Sequence, residues 1–167
     1  MIDSEEAKIG AGHVFPEDLF CDWDGDDLPP KKFFPKKNVV VLYLHGAVYT
    51  RGDAGRVKLY KSLSRHPYYC HVVTIDYGGF GDSTGRIPDV RGTATDALSA
   101  YRWLLSCVHA KRIIVWGHSL GMVLAPYMLT LENKVHHPKL LVLEAPFNNM
   151  MEAFENHPLT RIYFGKL

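Results

Sequence analysis

The chain has 167 residues, 47% of them apolar, and a formal net charge of +1 at pH 7. That length and composition suit one domain with a core and exclude a disordered segment. The near-neutral charge without a long basic block argues against a nucleic-acid partner. Cys21, Cys70 and Cys107 are scattered, odd in number and without metal-ligand spacing, which fits a reducing compartment better than a disulfide scaffold. No apolar run reaches the ~18–20 residues of a membrane span. Residues 1–12 are too acidic and polar for a secretory signal.

Residues 1–37 hold few periodic apolar positions and read as an irregular or partly mobile arm preceding a domain over 38–167. Asp22, Asp24 and Asp26 match the first ligand positions of a calcium loop. The glycine, however, is Gly25 rather than the residue after Asp26, and the twelfth position is Phe33. A solvated acidic turn is the reading, and no metal or cofactor is expected. Residues 39–44 form a continuous apolar strand, the pattern of a strand buried on both faces, and end in His45-Gly46-Ala47. Residues 55–63 read as a helix with Val57, Leu59, Tyr60 and Leu63 on its apolar side. A second strand, 69–75, ends at Asp76-Tyr77, and a glycine-rich loop follows over 78–85. Residues 89–107 form a long helix, with Ala94, Ala97, Leu98, Tyr101, Leu104 and Leu105 three and four apart. A third strand (112–116), a helix (122–131), a fourth strand (139–143) ending at Glu144, and a helix beginning over 148–154 complete the chain. Strands alternating with helices predict an α/β fold, a mostly parallel sheet of about four strands flanked by helices. Ligands of such sheets bind beyond the carboxyl ends of the strands, where His45, Asp76, Ser119 and Glu144 all fall.

The third strand runs directly into Gly117-His118-Ser119-Leu120-Gly121, and a helix follows. G-x-S-x-G between strand and helix is the context of a nucleophile elbow. Gly117 and Gly121 let strand and helix approach and let Ser119 take a strained backbone conformation. The bland alternative is a glycine-rich turn whose serine caps the helix. As nucleophile, Ser119 needs two N–H donors for the oxyanion. The pattern assigns them to the amides of Leu120, which follows it, and Ala47, in the loop after the first strand. Losing one such donor typically costs roughly 3–4 kcal/mol in the barrier. His45 precedes the nucleophile and is read as a supporting residue.

Leu42-Tyr43-Leu44-His45-Gly46 with Thr50-Arg51-Gly52, Asp76-Tyr77-x-Gly79-Phe80-Gly81-Asp82-Ser83-x-Gly85, Trp116-Gly117-His118-Ser119-Leu120-Gly121 and Leu143-Glu144-Ala145-Pro146-Phe147 form one ordered series. It resembles the α/β-hydrolase family, and within it the abhydrolase-domain-containing lysophosphatidylserine and monoacylglycerol lipases, over residues 38–163. The resemblance implies a serine lipase associated with the endoplasmic reticulum membrane, acting on lysophospholipid or monoacylglycerol esters, with Ser119 as nucleophile and any membrane anchor before Met1. Arg51, Asp82 and Ser83 would support loops. Three departures stand out. The family carries a polar residue where this chain has Ala47, a change that keeps the N–H. Pro126 sits inside the elbow helix, where it removes a hydrogen bond and predicts a kink.

The third departure concerns the triad, whose order in this fold is Ser, then Asp or Glu, then His. No aspartate follows Asp96, and the acids after Ser119 are Glu132, Glu144, Glu152 and Glu155, the histidines His136, His137 and His157. Glu144 ends the strand beside the elbow strand and could pair with His157 as a substitute acid and base, but by resemblance neither has a triad role. The expectation is therefore the front part of a hydrolase, C-terminally truncated, without its triad Asp and His and weakly active or inactive alone. A catalytically silent fragment or binding module, and a peptidase of the same fold, are the alternatives.

Overall fold

The computed structural model describes residues 1–5, 7–19, 34, 38–86, 89–131 and 136–144. In chain order the elements are β1 (Ile2–Asp3), β2 (Lys8–Ile9), β3 (Ala11–Val14), β4 (Val40–Leu44), α1 (Ala54–Ser64), β5 (His71–Ile75), α2 (Val90–Cys107), β6 (Ile113–His118), α3 (Leu120–Thr130) and β7 (Leu140–Glu144). A turn of 3-10 helix, Ala110–Arg112, leads into β6. The acidic run around Asp22, Asp24, Asp26 and Asp27, Cys21, Glu132, Glu152, Glu155, His157 and the helix expected over 148–154 lie outside the described residues.

Five strands form the main sheet, in the order β3-β5-β4-β6-β7. β5, β4, β6 and β7 are parallel neighbours, and β3 adds to the edge antiparallel to β5. β4 and β5 are buried at every position because both faces of the sheet are covered there, while β7, at the edge, is exposed at Leu140 and Leu143. Val40, Leu42, Leu44, Val73, Ile75, Ile113 and Val115 join one core with Ala97, Leu98, Tyr101 and Leu104 of α2 and Leu124 and Met128 of α3. The alternate residues Val41, Tyr43 and Val72 form a second core with Tyr60, Val57 and Leu59 of α1. α1 thus covers one face of the sheet, and α2 and α3 cover the other. Both α1 and α2 begin at an aspartate. Asp53 accepts from the Gly55 and Arg56 N–H groups, and Asp89 from that of Gly92, which satisfies amides the helix itself cannot.

The first fourteen residues are not the irregular arm that their pattern predicts. β1 and β2 pair antiparallel, Ile2 opposite Ile9, and both isoleucines are buried in the larger core. β3 takes its order from pairing, Ala11 opposite Ile75 through Val14 opposite Val72, rather than from a run of strand-forming residues. The sheet accordingly has five strands instead of four. The Ser4 hydroxyl donates to Asp96 of α2, whose other oxygen accepts from Gly78 N–H, and so anchors this segment to a helix 92 residues away.

α3 starts two residues earlier than the sequence suggests and runs without interruption through Pro126. The proline is exposed, on the side of the helix away from Leu124, Ala125 and Met128. Its ring and its missing N–H therefore do not disturb the buried face.

Candidate active site

The strand-to-helix junction is built by close backbone approach. A Cβ on Gly117 would stand 2.7 Å from the Met122 nitrogen and nearer still to the Gly121 carbonyl. A Cβ on Gly121 would stand 2.7 Å from the carbonyl carbon of Leu44 and nearer still to its oxygen. Between these glycines Ser119 has φ 53° and ψ −113°, a region that L-residues occupy only under constraint. Its N–H donates to the Glu144 carbonyl of β7 at 3.1 Å. Ser119 stands at the N-cap position of α3, but its side chain makes no capping bond there. Among the described residues, its hydroxyl has no hydrogen-bond partner.

Ser119 lines a cavity of about 560 Å³ at the carboxyl edge of β4 and β6, together with Gly46, which packs against it, and Ala47. Ala47 and Leu120 are both buried, and neither backbone N–H is bonded to another described residue. Leu120 opens α3, so its N–H has no acceptor inside the helix. The Ala47 N–H belongs to the peptide whose carbonyl is that of Gly46. His45 Nδ1–H donates to this carbonyl at 2.6 Å. In a trans peptide the N–H points opposite to the C=O, so this bond fixes which way the Ala47 N–H faces.

His45 is fully buried, and its Nε2 lies 3.2 Å from Asp76 Oδ1, an ion-pair distance without hydrogen-bond alignment. Asp76 also accepts from the Arg51 N–H at 2.6 Å and from the Arg51 guanidinium, which in turn holds Asp82 with bonds of 2.6 and 2.8 Å. Burial opposes ionisation of Asp76, but His45 and Arg51 outweigh it and hold the carboxyl below its ordinary range. The Ser83 hydroxyl donates to the Asp76 carbonyl and accepts from Gly10 N–H. Arg51, Asp82 and Ser83 therefore tie the loops after β4 and β5 to each other and to the start of β3.

The cavity also gathers Tyr43 and Glu144 from the ordered series, together with Tyr49, Asp53, Arg56 and Leu59, which no motif singles out. Glu144 sits opposite His118 in the strand register, and its carboxylate accepts from the Trp116 indole at 2.8 Å. Burial, with Tyr60 and Glu144 nearby, pushes the Tyr43 hydroxyl up to about 12, so it stays neutral near pH 7. His118 is the one histidine on the described lining. Its Nδ1 is buried without a partner, and no ion pair joins it to Glu144. His136 and His137 lie before β7, and the His136 carbonyl accepts from the Tyr101 hydroxyl. Among the described residues, none of these histidines is paired with a carboxylate at the cavity.

The profile of a family described as the alpha/beta hydrolase fold matches residues 39–162. This chain belongs to that family. The α/β hydrolase is 40% identical over 161 residues to the lysophosphatidylserine lipase ABHD12 of Danio rerio, covering 95% of this chain and 41% of the relative. It is 42% identical over 127 residues to the human protein ABHD12B, covering 75% of this chain and 34% of that one. The chain thus spans about two-fifths of the length of the curated relatives it matches. Among solved structures, Est1E from Butyrivibrio proteoclasticus with ferulic acid bound is similar at TM-score 0.63 and 19% identity. That likeness covers 85% of this chain and 50% of the other. Mouse alpha/beta hydrolase domain-containing protein 10 is similar at TM-score 0.58 and 16% identity, covering 95% and 54%. At these identities the likeness is one of fold. No described helix of the hydrolase is long and apolar enough to cross a membrane.

Proposed function

We propose that this α/β hydrolase carries the nucleophile side of a serine lipase site. Ser119 Oγ attacks the carbonyl carbon of a lysophospholipid or monoacylglycerol ester presented at a membrane surface of the endoplasmic reticulum. The amides of Leu120 and Ala47 receive the negative charge as it develops on the carbonyl oxygen. Collapse of the tetrahedral intermediate breaks the ester C–O bond. The alcohol leaves with a proton, the acyl group stays on Ser119, and water then releases the fatty acid. The observation that carries this reading is the strained Ser119 backbone, which stands between β6 and α3 and opens onto the cavity. The likeness to the lysophosphatidylserine lipase ABHD12 supports the ester class, and Tyr43, Leu59 and Tyr49 suit an acyl chain.

The Oγ proton needs a base as the new bond forms. Among the described residues no histidine at the cavity is paired with a carboxylate, so Glu144 and the described histidines are not assigned as triad acid and base, and slow reaction is expected. This reading rests on the commitment of Glu144 to Trp116. An alkyl fluorophosphonate followed by intact mass tests it. Slow covalent labelling is expected, abolished in Ser119→Ala and retained in Glu144→Gln. Loss of label in Glu144→Gln would make Glu144 the triad acid. A wild-type chain that never labels would instead be a catalytically silent binding fragment. Cleavage of a peptide panel in preference to esters would move the assignment to a peptidase of the same fold.

A further inference from the structure

The loop from Gly46 to Asp53 lines the cavity beside Ser119, and one residue in it, Tyr49, has an unusual backbone that a residue of α1 holds. Tyr49 has φ 64° although it is neither glycine nor asparagine, and its side chain is 64% exposed at the cavity mouth. A left-handed conformation at an aromatic residue costs on the order of 1–3 kcal/mol and persists only where neighbours impose it. The carbonyls on either side of Tyr49 are held by one side chain. Arg56 donates from one terminal nitrogen to the Val48 carbonyl and from the other to the Thr50 carbonyl, each at 2.6 Å. Both bonds are short, as charge-assisted bonds are. Arg56 itself is fixed at the first turn of α1, where its N–H and that of Gly55 are held by the Asp53 side chain. No carboxylate among the described residues pairs with its guanidinium; it is held by the two carbonyls and also interacts with the Tyr43 hydroxyl.

We propose that Arg56 is a positioning residue that sets the far side of the loop carrying the Ala47 amide. The His45 bond to the Gly46 carbonyl fixes the peptide before Ala47, and the Arg56 bond to the Val48 carbonyl fixes the one after Val48. Arg51, held through its own N–H by Asp76, closes the segment. Only the torsions of Ala47 and Val48 lie between two clamped peptides, so the direction of the Ala47 N–H depends on both clamps. A planar guanidinium can reach two carbonyls at once, and a lysine ammonium on the same stem cannot reproduce that fork. No motif identifies Arg56, because the two bonds that clamp the loop go to backbone oxygens. Its role in acyl transfer rests on the reading of Ser119 as nucleophile.

The test compares wild type, Arg56→Ala, Arg56→Lys and, as a control on the exposed side of the same helix, Lys58→Ala. Two readouts are taken: the rate of fluorophosphonate labelling, and hydrogen exchange at the amides of residues 47–50. Arg56→Ala is expected to label about 10- to 100-fold more slowly, because a small misplacement of an oxyanion donor has that effect. Its amides at 47–50 should exchange faster, and added ethylguanidinium should restore part of the labelling rate. Arg56→Lys should recover little, and Lys58→Ala should match wild type in both readouts. Wild-type labelling and exchange in Arg56→Ala would overturn the proposal. If wild type itself does not label, the nucleophile reading falls. The exchange comparison then decides the clamp alone, with unchanged exchange in Arg56→Ala refuting it. Should Arg56→Ala fail to fold, Arg56→Lys carries the same comparison, since it forfeits one of the two carbonyl bonds.

Discussion

Gly121→Ala is the substitution on which the geometry of the elbow can be judged. Inside an ordinary helix, replacing glycine by alanine stabilises by about 1 kcal/mol. Here the sign reverses. The added methyl would stand 2.7 Å from the Leu44 carbonyl carbon, 3.0 Å from its Cβ, and closest of all to its carbonyl oxygen. Two of those atoms are strand backbone and cannot rotate away, so α3 must retreat from β4 by about 1 Å. Retreat loosens Leu124 and Met128, both fully buried against the sheet. Overpacking of this kind costs about 1–3 kcal/mol and sometimes more. With no flexible side chain to absorb the strain, a net loss of about 2–3 kcal/mol is expected. For a chain of this size that is a fall in Tm of roughly 4–12 °C. Thermal and urea unfolding followed by circular dichroism read it directly, with a lower urea midpoint at unchanged slope. Gly52→Ala is the control, since a Cβ there meets only the Thr50 hydroxyl at 3.7 Å. A Gly121→Ala protein that melts at or above the wild-type temperature would refute the close approach of α3 to β4, and with it the physical reason for the second glycine.

Two further outcomes follow from strain and from burial. Ser119→Gly should be more stable than Ser119→Ala by about 1 kcal/mol, because only glycine relieves the positive φ and the serine side chain gives up no capping bond. Equal melting temperatures for the two variants would count against stored strain at residue 119. His13 and His71 share a hydrogen bond at 3.0 Å. Burial, then the charge of the other imidazole for His13 and of Arg112 for His71, lowers their pKa values to about 3 and about 4. The unfolded chain therefore takes up protons below pH 6.5 that the folded chain refuses, and stability should fall as pH drops from 6.5 towards 4. His13→Phe keeps a ring beside Phe15 and Phe34 and removes one imidazole, so its urea midpoint should fall less between pH 7 and pH 5. A steeper fall than wild type would contradict burial as the cause.

The four parallel strands and α2 are legible in the chain because their signals are local. Val40–Leu44 and His71–Ile75 are buried at every position, and Ala94, Ala97, Leu98, Tyr101 and Leu104 repeat at helical spacing. β1, β2 and β3 are not legible. They are two to four residues long, are punctuated by Gly10 and Gly12, and exist because β5 offers an unpaired edge and because Ile2 and Ile9 find the core. The loop they cross is also specified from afar, since a Cβ on Gly10 would meet Asp82 and Arg51.

The candidate site divides along the same line, and the division changes what the elbow motif means. Five consecutive residues place Ser119 between a strand and a helix, yet the contacts that hold it there come from other strands. Gly121 packs against Leu44 of β4, whose register opposite Gly117 brings it there, and the Ser119 N–H is held by Glu144 of β7. Ala47 lines the serine's cavity because it follows β4, and Arg56 reaches the loop because α1 folds back over the same strand. A G-x-S-x-G match in an unpaired segment would supply the glycines without the strain. Register between neighbouring strands, which depends on partners far apart in sequence, converts the motif into a serine held at positive φ above a cavity. Any change that shifts β4 against β6 should therefore disturb Ser119 as surely as a substitution within the motif itself.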